Sequence, residues 1–111
     1  MHFISIQIQP EFSTDFDRHE FLARVRAVGR SPEIDEFVEK GQRYLQFTFF
    51  TERPILLWQD LQAALYSSSD YGHIIGPISI AICESDEEGK PKQDFLVLHH
   101  FDTNEKCDQL V

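Results

Sequence analysis

Residues 2–9 place isoleucine at every second position. One side of an extended chain would carry Ile4, Ile6 and Ile8, and the other would carry Phe3, Ser5, Gln7 and Gln9. A period of two is typical of a strand, whereas a helix would scatter these isoleucines around its axis. Pro10 ends the segment because proline cannot donate to a sheet ladder. The chain therefore begins with a strand that has one buried face and one half-polar face.

The next segment changes to a helical period. Apolar side chains recur at three- and four-residue intervals: Phe21, Leu22, Val25 and Val28. Thr14 and Asp17 have the spacing of a capping box, and Gly29 follows the last apolar position, as is usual at a helix end. We predict a helix over residues 15–28.

Residues 31–43 fit two structures. A Ser-Pro pair and three apolar residues at helical spacing before Gly41 have the pattern of a capped helix. The same residues can form an edge strand over 34–38 that turns through residues 39–42 into the next strand. We adopt the strand and keep the helix over residues 32–40 as the alternative.

The second half of the chain adds a strand, a helix and a hairpin. Residues 44–50 alternate as a strand, and Pro54 opens a helix that extends to about residue 66. The Ser- and Gly-containing residues 67–72 break that helix. Alternating isoleucines over residues 78–83 predict a strand that pairs with residues 95–101 through a long charged turn.

This element order, β-α-β-β-α-β-β, predicts the α+β class: an antiparallel or mixed sheet with two helices on one face. The first six elements resemble the ferredoxin-like βαββαβ plan, with an added C-terminal strand. The resemblance rests on element order alone and implies no function. We predict a single domain over residues 1–101, a polar, frayed tail over 102–111, and one core: Ile4, Ile6, Ile8, Phe21, Leu22, Val25, Leu45, Phe47, Leu57, Leu61, Ile78, Ile80 and Leu98.

Length and charge exclude several classes of protein. The 111 residues and 13.0 kDa support one core, and ten phenylalanines argue against a disordered acidic chain. No apolar run approaches the length of a membrane span, and we expect neither a signal peptide nor a membrane partner. A net charge of −9 repels phosphate, so we expect no nucleic-acid partner. Two cysteines, Cys83 and Cys107, at no disulfide or zinc spacing predict a cytoplasmic protein.

Few residues have the arrangement of a catalytic or metal site. Residues 67–73 hold serine, aspartate and histidine, but neighbours on one flexible segment seldom form a nucleophilic triad. His99 and His100 are adjacent on a predicted strand, so their side chains point to opposite faces, and the hairpin register decides which one faces inward. We expect no catalytic constellation, no cofactor and no metal. A ligand site near residues 67–73 with His73, His99 and His100 is the alternative hypothesis.

Charged residues suggest two further surfaces. His19, Arg26 and Arg30 lie opposite the apolar face of the first helix and could bind an anion. Acidic residues cluster at Glu33, Asp35, Glu36 and Glu39, and again at Glu84, Asp86, Glu87, Glu88 and Asp94. Most such residues only solvate a surface, but together they could dock a basic protein.

Residues 54–83 contain only two charged residues, Asp60 and Asp70. A segment of this length with the 26% charged residues of the whole chain would carry about eight. The predicted second helix is apolar on more than one side, which suggests a partner surface. We therefore predict a non-catalytic association module, either a homo-oligomer or a module that binds another protein. The candidate interface residues are Ile55, Leu56, Ala63 and Tyr66, with Phe50 on the competing sheet face.

Overall fold

The structure is a computed structural model that describes residues 1–67, 69–85 and 95–110. Five strands are present: β1 (His2–Ile8), β2 (Glu33–Glu39), β3 (Gln42–Thr51), β4 (Ser79–Ser85) and β5 (Phe95–His99). The described helices are α1 (Arg18–Ala27), α2 (Pro54–Leu61), which continues as one π-helical turn (Gln62–Tyr66), and α3 (Ser69–Ile75). Short 3-10 turns cover Pro10–Phe12 and Gly76–Ile78. None of the helices described is long and apolar enough to cross a membrane.

The five strands form one antiparallel sheet in the order β2-β3-β1-β4-β5. β1 is central and pairs along its whole length with β3 on one side and β4 on the other. The α+β class and the antiparallel sheet are therefore confirmed. The prediction of two helices was incomplete, because α3 is a third.

The core lies between the helices and one face of the sheet. Ile4, Ile6 and Ile8 are fully buried, and the ring of Phe21 on α1 packs 4.2 Å from the ring of Phe47 on β3. Every residue of the predicted core except Ile80 belongs to the observed core cluster. The apolar phases of β1, α1, β3 and α2 were thus correctly predicted.

The prediction of which face of β4 is buried against the helices was wrong. Register places Ala81 opposite Ile6 and Cys83 opposite Ile4, so the small residues of β4 face the helices. Ile80 and Ile82 point to the other face and are only partly buried. Alternation identifies two faces but not which one is covered, and here residues with small side chains occupy the crowded side beneath the helices.

The hairpin of β2 and β3 confirms the strand interpretation of residues 34–38. Glu39 pairs with Gln42, and the two residues between them, Lys40 and Gly41, have positive φ angles of 51° and 78°. Two-residue hairpins of type I′ require positive φ at both central positions. The turn therefore fixes the register of β2 on β3.

The start of α1 differs from the predicted capping box. Asp17 is the N-cap, and its side chain accepts a hydrogen bond of 2.9 Å from the backbone N–H of His19. Thr14 lies outside the helix, which spans ten residues rather than the predicted 15–28. Asp17 caps alone because one aspartate oxygen already satisfies a terminal N–H.

Residues 67–72 were predicted as a break, but α3 begins within them at Ser69. Tyr71 and Ile75 on α3 are four residues apart and buried, which gives this short helix an apolar stripe. Gly72 lets α3 approach the π-helical turn, since a Cβ there would lie 2.6 Å from the carbonyl oxygen of Tyr66. Residues typical of turns are thus used here for close packing.

β5 contains a bulge opposite β4. Val97 pairs with Ile82, but the next pair joins His99 to Ala81, so Leu98 is the extra residue. Leu98 is buried in the core, and the His99 ring contacts the ring of Tyr66 on the helix side. The bulge therefore turns both side chains inward, and His99 is the inward-facing histidine. The predicted turn, residues 86–94, lies outside the described residues.

The tail over residues 102–110 contacts the folded domain. Val97 and Asp108 exchange two hydrogen bonds: the Asp108 N–H donates to the Val97 carbonyl at 2.7 Å, and the Val97 N–H donates to an Asp108 carboxylate oxygen at 3.0 Å. Leu110 packs against the core. The tail therefore blocks one position on the outer edge of β5.

We expect Phe47→Ala to lower the free energy of unfolding by about 3–5 kcal/mol, because it empties a fully buried site against Phe21. Phe50→Ala on the same strand should cost less than about 1 kcal/mol, because Phe50 is exposed. Chemical denaturation of both variants measures the difference. Equal losses would contradict the assignment of the two faces of β3.

Candidate functional site

The sheet has a second face that no described helix covers. We call it the open face, and it consists of alternate residues of all five strands: Phe3, Ser5, Gln7, Glu33, Asp35, Phe37, Glu39, Gln42, Tyr44, Gln46, Thr48, Phe50, Ile80, Ile82, Glu84, Phe95 and Val97. Phe50 and Phe95 on it are 51% and 54% exposed. Aromatic rings therefore meet solvent on β3 and β5 of this face, whereas Ser5 and Thr48 at its centre are buried among their neighbours.

Two aromatic pairs occupy this surface. Phe37 on β2 stacks on Tyr44 on β3, with ring centroids 5.1 Å apart and planes 11° from parallel. Phe3 on β1 and Phe50 on β3 lie 5.8 Å apart in a tilted arrangement. Each pair joins neighbouring strands, so the rings are held in place by the sheet itself.

Between the aromatic pairs runs a ladder of neutral polar side chains on β1 and β3. The Gln7 amide donates to the Gln46 side-chain carbonyl at 3.1 Å, and the hydroxyls of Ser5 and Thr48 lie 3.4 Å apart. The Gln9 amide donates to the Tyr44 hydroxyl at 3.0 Å, which holds the ring on β3. These cross-strand bonds preorganise the surface, because the polar groups already have fixed directions.

The acidic residues of β2 divide between the two faces. Glu33, Asp35 and Glu39 lie on the open face, whereas Glu36 turns to the helix side and forms an ion pair with Arg43. Glu84 lies on the open face at the other side of the sheet. The other acids of the second predicted cluster, residues 86–88 and 94, lie outside the described residues. The first cluster therefore presents three carboxylates to one surface.

The predicted interface on α2 is partly exposed. Ile55 and Leu56 are 41% and 46% exposed, and Ala63 on the π-helical turn is also exposed. Tyr66 differs, because its ring contacts Trp58 and His99 and its hydroxyl lies 2.9 Å from the Ser79 hydroxyl. Its contacts are internal and connect the helices to β4 and β5.

The three histidines predicted for a ligand site line one cavity of about 320 Å³. Its lining comprises His73, His99 and His100, together with Gly72, Gly76, Pro77, Phe101 and Thr103. No carboxylate belongs to the described lining. The sequence therefore predicted the three histidines of the cavity, but its described lining holds no acid that could orient a histidine as a general base.

Hydrogen bonds define the proton positions of two of these histidines. His99 Nε2 lies 2.9 Å from the Gly76 carbonyl oxygen, so Nε2 carries the hydrogen in the neutral ring. His100 Nδ1 accepts from the backbone N–H of Asp102 at 3.0 Å. Burial lowers the pKa of His99 below its ordinary 6.5, although the bond to Gly76 opposes the shift. The cavity therefore presents a neutral imidazole from β5.

The basic stripe predicted on α1 is interrupted by ion pairs. Arg30 reaches one carboxylate oxygen of Asp60 through two nitrogens, at 2.8 and 3.1 Å. Arg24, a neighbour of the stripe, binds Glu20 and also lies 4.1 Å above the ring of Tyr71. Arg26 stays exposed on α1. Arg24 therefore joins α1 to α3, whereas Arg30 lies beyond the end of α1 and joins the following segment to α2.

The cysteines do not join the histidines in one site. Cys83 is buried beside a different cavity, which is lined by His2, Ile55 and Leu110 among others, and Cys107 is exposed. Burial, with the Glu84 carboxylate second, raises the pKa of the Cys83 thiol, so it is a poor nucleophile at neutral pH. Among the described residues, no group of three or more histidine, cysteine or carboxylate side chains could hold a metal ion.

The contribution of β4 and β5 to the open face was not predicted from the sequence. Ile80 was assigned to the core, but its register partner Gln7 places it on the open face, together with Ile82 beside Val97. The available signal was the run of small residues, Ser79, Ala81 and Cys83, which fit beneath a helix layer.

Comparison with models of known protein families, with curated proteins and with solved structures found no match to this chain.

We expect His99 to make stability depend on pH below 6.5. At higher pH the ring is neutral in the folded and the unfolded chain, so it does not make the free energy of unfolding depend on pH. As the pH falls below 6.5, the unfolded chain binds a proton first, and the free energy of unfolding decreases until the lowered pKa of the folded state is reached.

His99→Gln should therefore reduce this loss of stability in acid, measured by urea unfolding at a series of pH values. His19→Gln, at an exposed position on α1, is the matched control and should retain the slope of the wild type. Identical slopes for His99→Gln and wild type would contradict the assignment.

Proposed function

We propose that the chain is a non-catalytic association module that docks a protein partner on the open face of its sheet. The observation that carries the proposal is the absence of a second described layer: helices cover one face of the sheet, while the other exposes Phe50 and Phe95 and leaves its aliphatic side chains only partly buried. Sheets normally bury their apolar faces against another layer, and a partner would supply it. The free thiols of Cys83 and Cys107 support a reducing, cytoplasmic location for the module.

The edges of the sheet are poorer candidates than its face. β2 is an outer strand with four acidic side chains, a feature that discourages pairing with another strand. At the opposite edge, the tail already satisfies Val97 on β5 through Asp108. These features favour association through side chains of the open face over strand addition.

We also propose that the first six elements follow the ferredoxin-like βαββαβ plan, with β5 as an addition. Two crossovers support it: α1 connects β1 to β2, which lies beyond β3, and α2 with α3 connects β3 to β4, which lies beyond β1. This plan leaves one sheet face without helices, and a docking surface on that face follows naturally from it.

A second candidate function is a small-ligand-binding protein that uses the histidine cavity. Its specific support is the convergence of His73, His99 and His100 on a space of about 320 Å³. The neutral imidazole of His99 and a mainly apolar lining would suit an uncharged ligand. Chemical-shift changes of these histidine rings on titration with small uncharged heteroaromatic compounds would test it, and unchanged shifts would reject it.

The docking proposal predicts where a partner can be cross-linked. A photoreactive phenylalanine analogue at Tyr44 or Phe50 should give covalent adducts in cells of the native host, because both positions lie on the open face. The same analogue at Leu56 or Ala63, exposed on the opposite side of the molecule, should give none. Adduct formation from Tyr44 should also be abolished by Phe50→Asp, since a carboxylate there disfavours an apolar contact.

Adducts confined to Leu56 and Ala63 would instead support association through α2. The absence of adducts from all four positions would reject the docking function. Circular dichroism of each variant confirms that the fold is retained before cross-linking is compared.

A further inference from the structure

We infer that the partner presents a basic surface, in which arginine or lysine side chains alternate with apolar ones. This inference rests on the proposed docking function and specifies the partner class. The charged side chains on the open face are Glu33, Asp35, Glu39 and Glu84, and no lysine, arginine or histidine lies on it among the described residues. The face is therefore apolar and uniformly acidic.

Three of these carboxylate groups, those of Asp35, Glu39 and Glu84, adjoin an aromatic ring. On β2, Phe37 lies between Asp35 and Glu39 on the same face and stacks on Tyr44. On β4, Glu84 lies in register with Phe3 on one side and Phe95 on the other. A guanidinium group can stack on a ring while it donates to a neighbouring carboxylate, so both sites suit arginine.

A second copy of this chain fits the open face less well. A symmetric dimer would place the same surface on both sides of the contact, and neither side would supply a cation for the carboxylates. Acids brought together without cations lose hydration and repel one another. Nucleic acid is disfavoured for the same reason, since its phosphates would approach these acids.

The spacing of the two acid–aromatic sites indicates the size of the contact. They lie three strands apart and about six residues apart along the strands, which gives a diagonal of roughly 24 Å from ordinary strand spacing and rise. A helix of about 16 residues spans that distance. The central ladder of Gln7 and Gln46 lies between the two sites and offers amide groups to polar side chains of the partner.

The test uses a fluorescent amphipathic peptide of about 18 residues built from arginine and leucine, titrated with the full chain at low and moderate salt. Wild type should bind it, with weaker binding as salt increases. Neutralising the acids of β2 with Glu33→Gln, Asp35→Asn and Glu39→Gln should weaken binding at least about tenfold, the ratio that corresponds to about 1.4 kcal/mol.

The matched control removes the same number of charges away from the strands, with Glu11→Gln, Asp15→Asn and Glu105→Gln at exposed positions. It should retain wild-type affinity within about threefold, because distant charges are screened. An equal loss in both triple variants would overturn the inference, since attraction would then depend on net charge alone. Thermal unfolding of both variants confirms that the fold persists.

Two other outcomes would overturn the basic partner while leaving the docking function standing. One is equal binding of the same peptide with glutamate in place of arginine, abolished by Phe50→Asp. The other is a wild-type dimer in sedimentation that Phe50→Asp dissociates and Leu56→Asp with Ala63→Asp does not. Failure of the arginine–leucine peptide to bind also overturns the basic partner, whereas the docking function itself depends on the cross-linking result.

Discussion

Pairing of β1 on both of its edges is the constraint on which the rest of the molecule depends. All seven residues from His2 to Ile8 have partners in β3 and in β4, so the first strand of the chain holds together its later parts. Its isoleucines are fully buried beneath the helices. β1 and β3 run in opposite directions, and the crossovers that follow them lead to opposite sides of the sheet. Right-handed connections then place both helical segments on the same face. The open face is thus a consequence of topology, and not of a local excess of apolar residues.

The same constraint explains which parts of the fold could be predicted from sequence. β1 and β3 alternate large apolar with polar residues, so the pattern itself identifies their buried side, and the Lys40-Gly41 turn fixes β2. β4 could not be predicted in this way, because isoleucine alternates there with serine, alanine and cysteine. Which side of β4 is buried depends on its register with β1, a long-range interaction that no local pattern contains.

In the candidate site, too, local sequence predicts individual residues, whereas long-range strand pairing decides which of them lie together. Phe50 and the acids of β2 were predicted as surface features from local sequence, and Phe50 and all of these acids except Glu36 lie on the open face. Their meeting with Glu84 and Phe95 required the pairing of β1 with β4 and of β4 with β5. Likewise, His73 and His99 were predicted from the sequence as ligand-site residues, but it is the bulge at Leu98 that turns His99 toward Gly76. Residues are predicted more readily than the surfaces they form, because surfaces depend on nonlocal pairing.

The shortage of charge in residues 54–83 has a largely internal cause. Leu57, Leu61, Leu65, Tyr71 and Ile75 are all buried, and α3 supplies packing that a loop would not have provided. Asp60, one of the two charges, is paired with Arg30. The apolar side chains of this segment are therefore mostly buried within the domain. Their low charge is thus weaker support for a partner that binds α2. The open face retains exposed aromatic rings at Phe50 and Phe95 after the helices are packed, so apolar surface remains there for association.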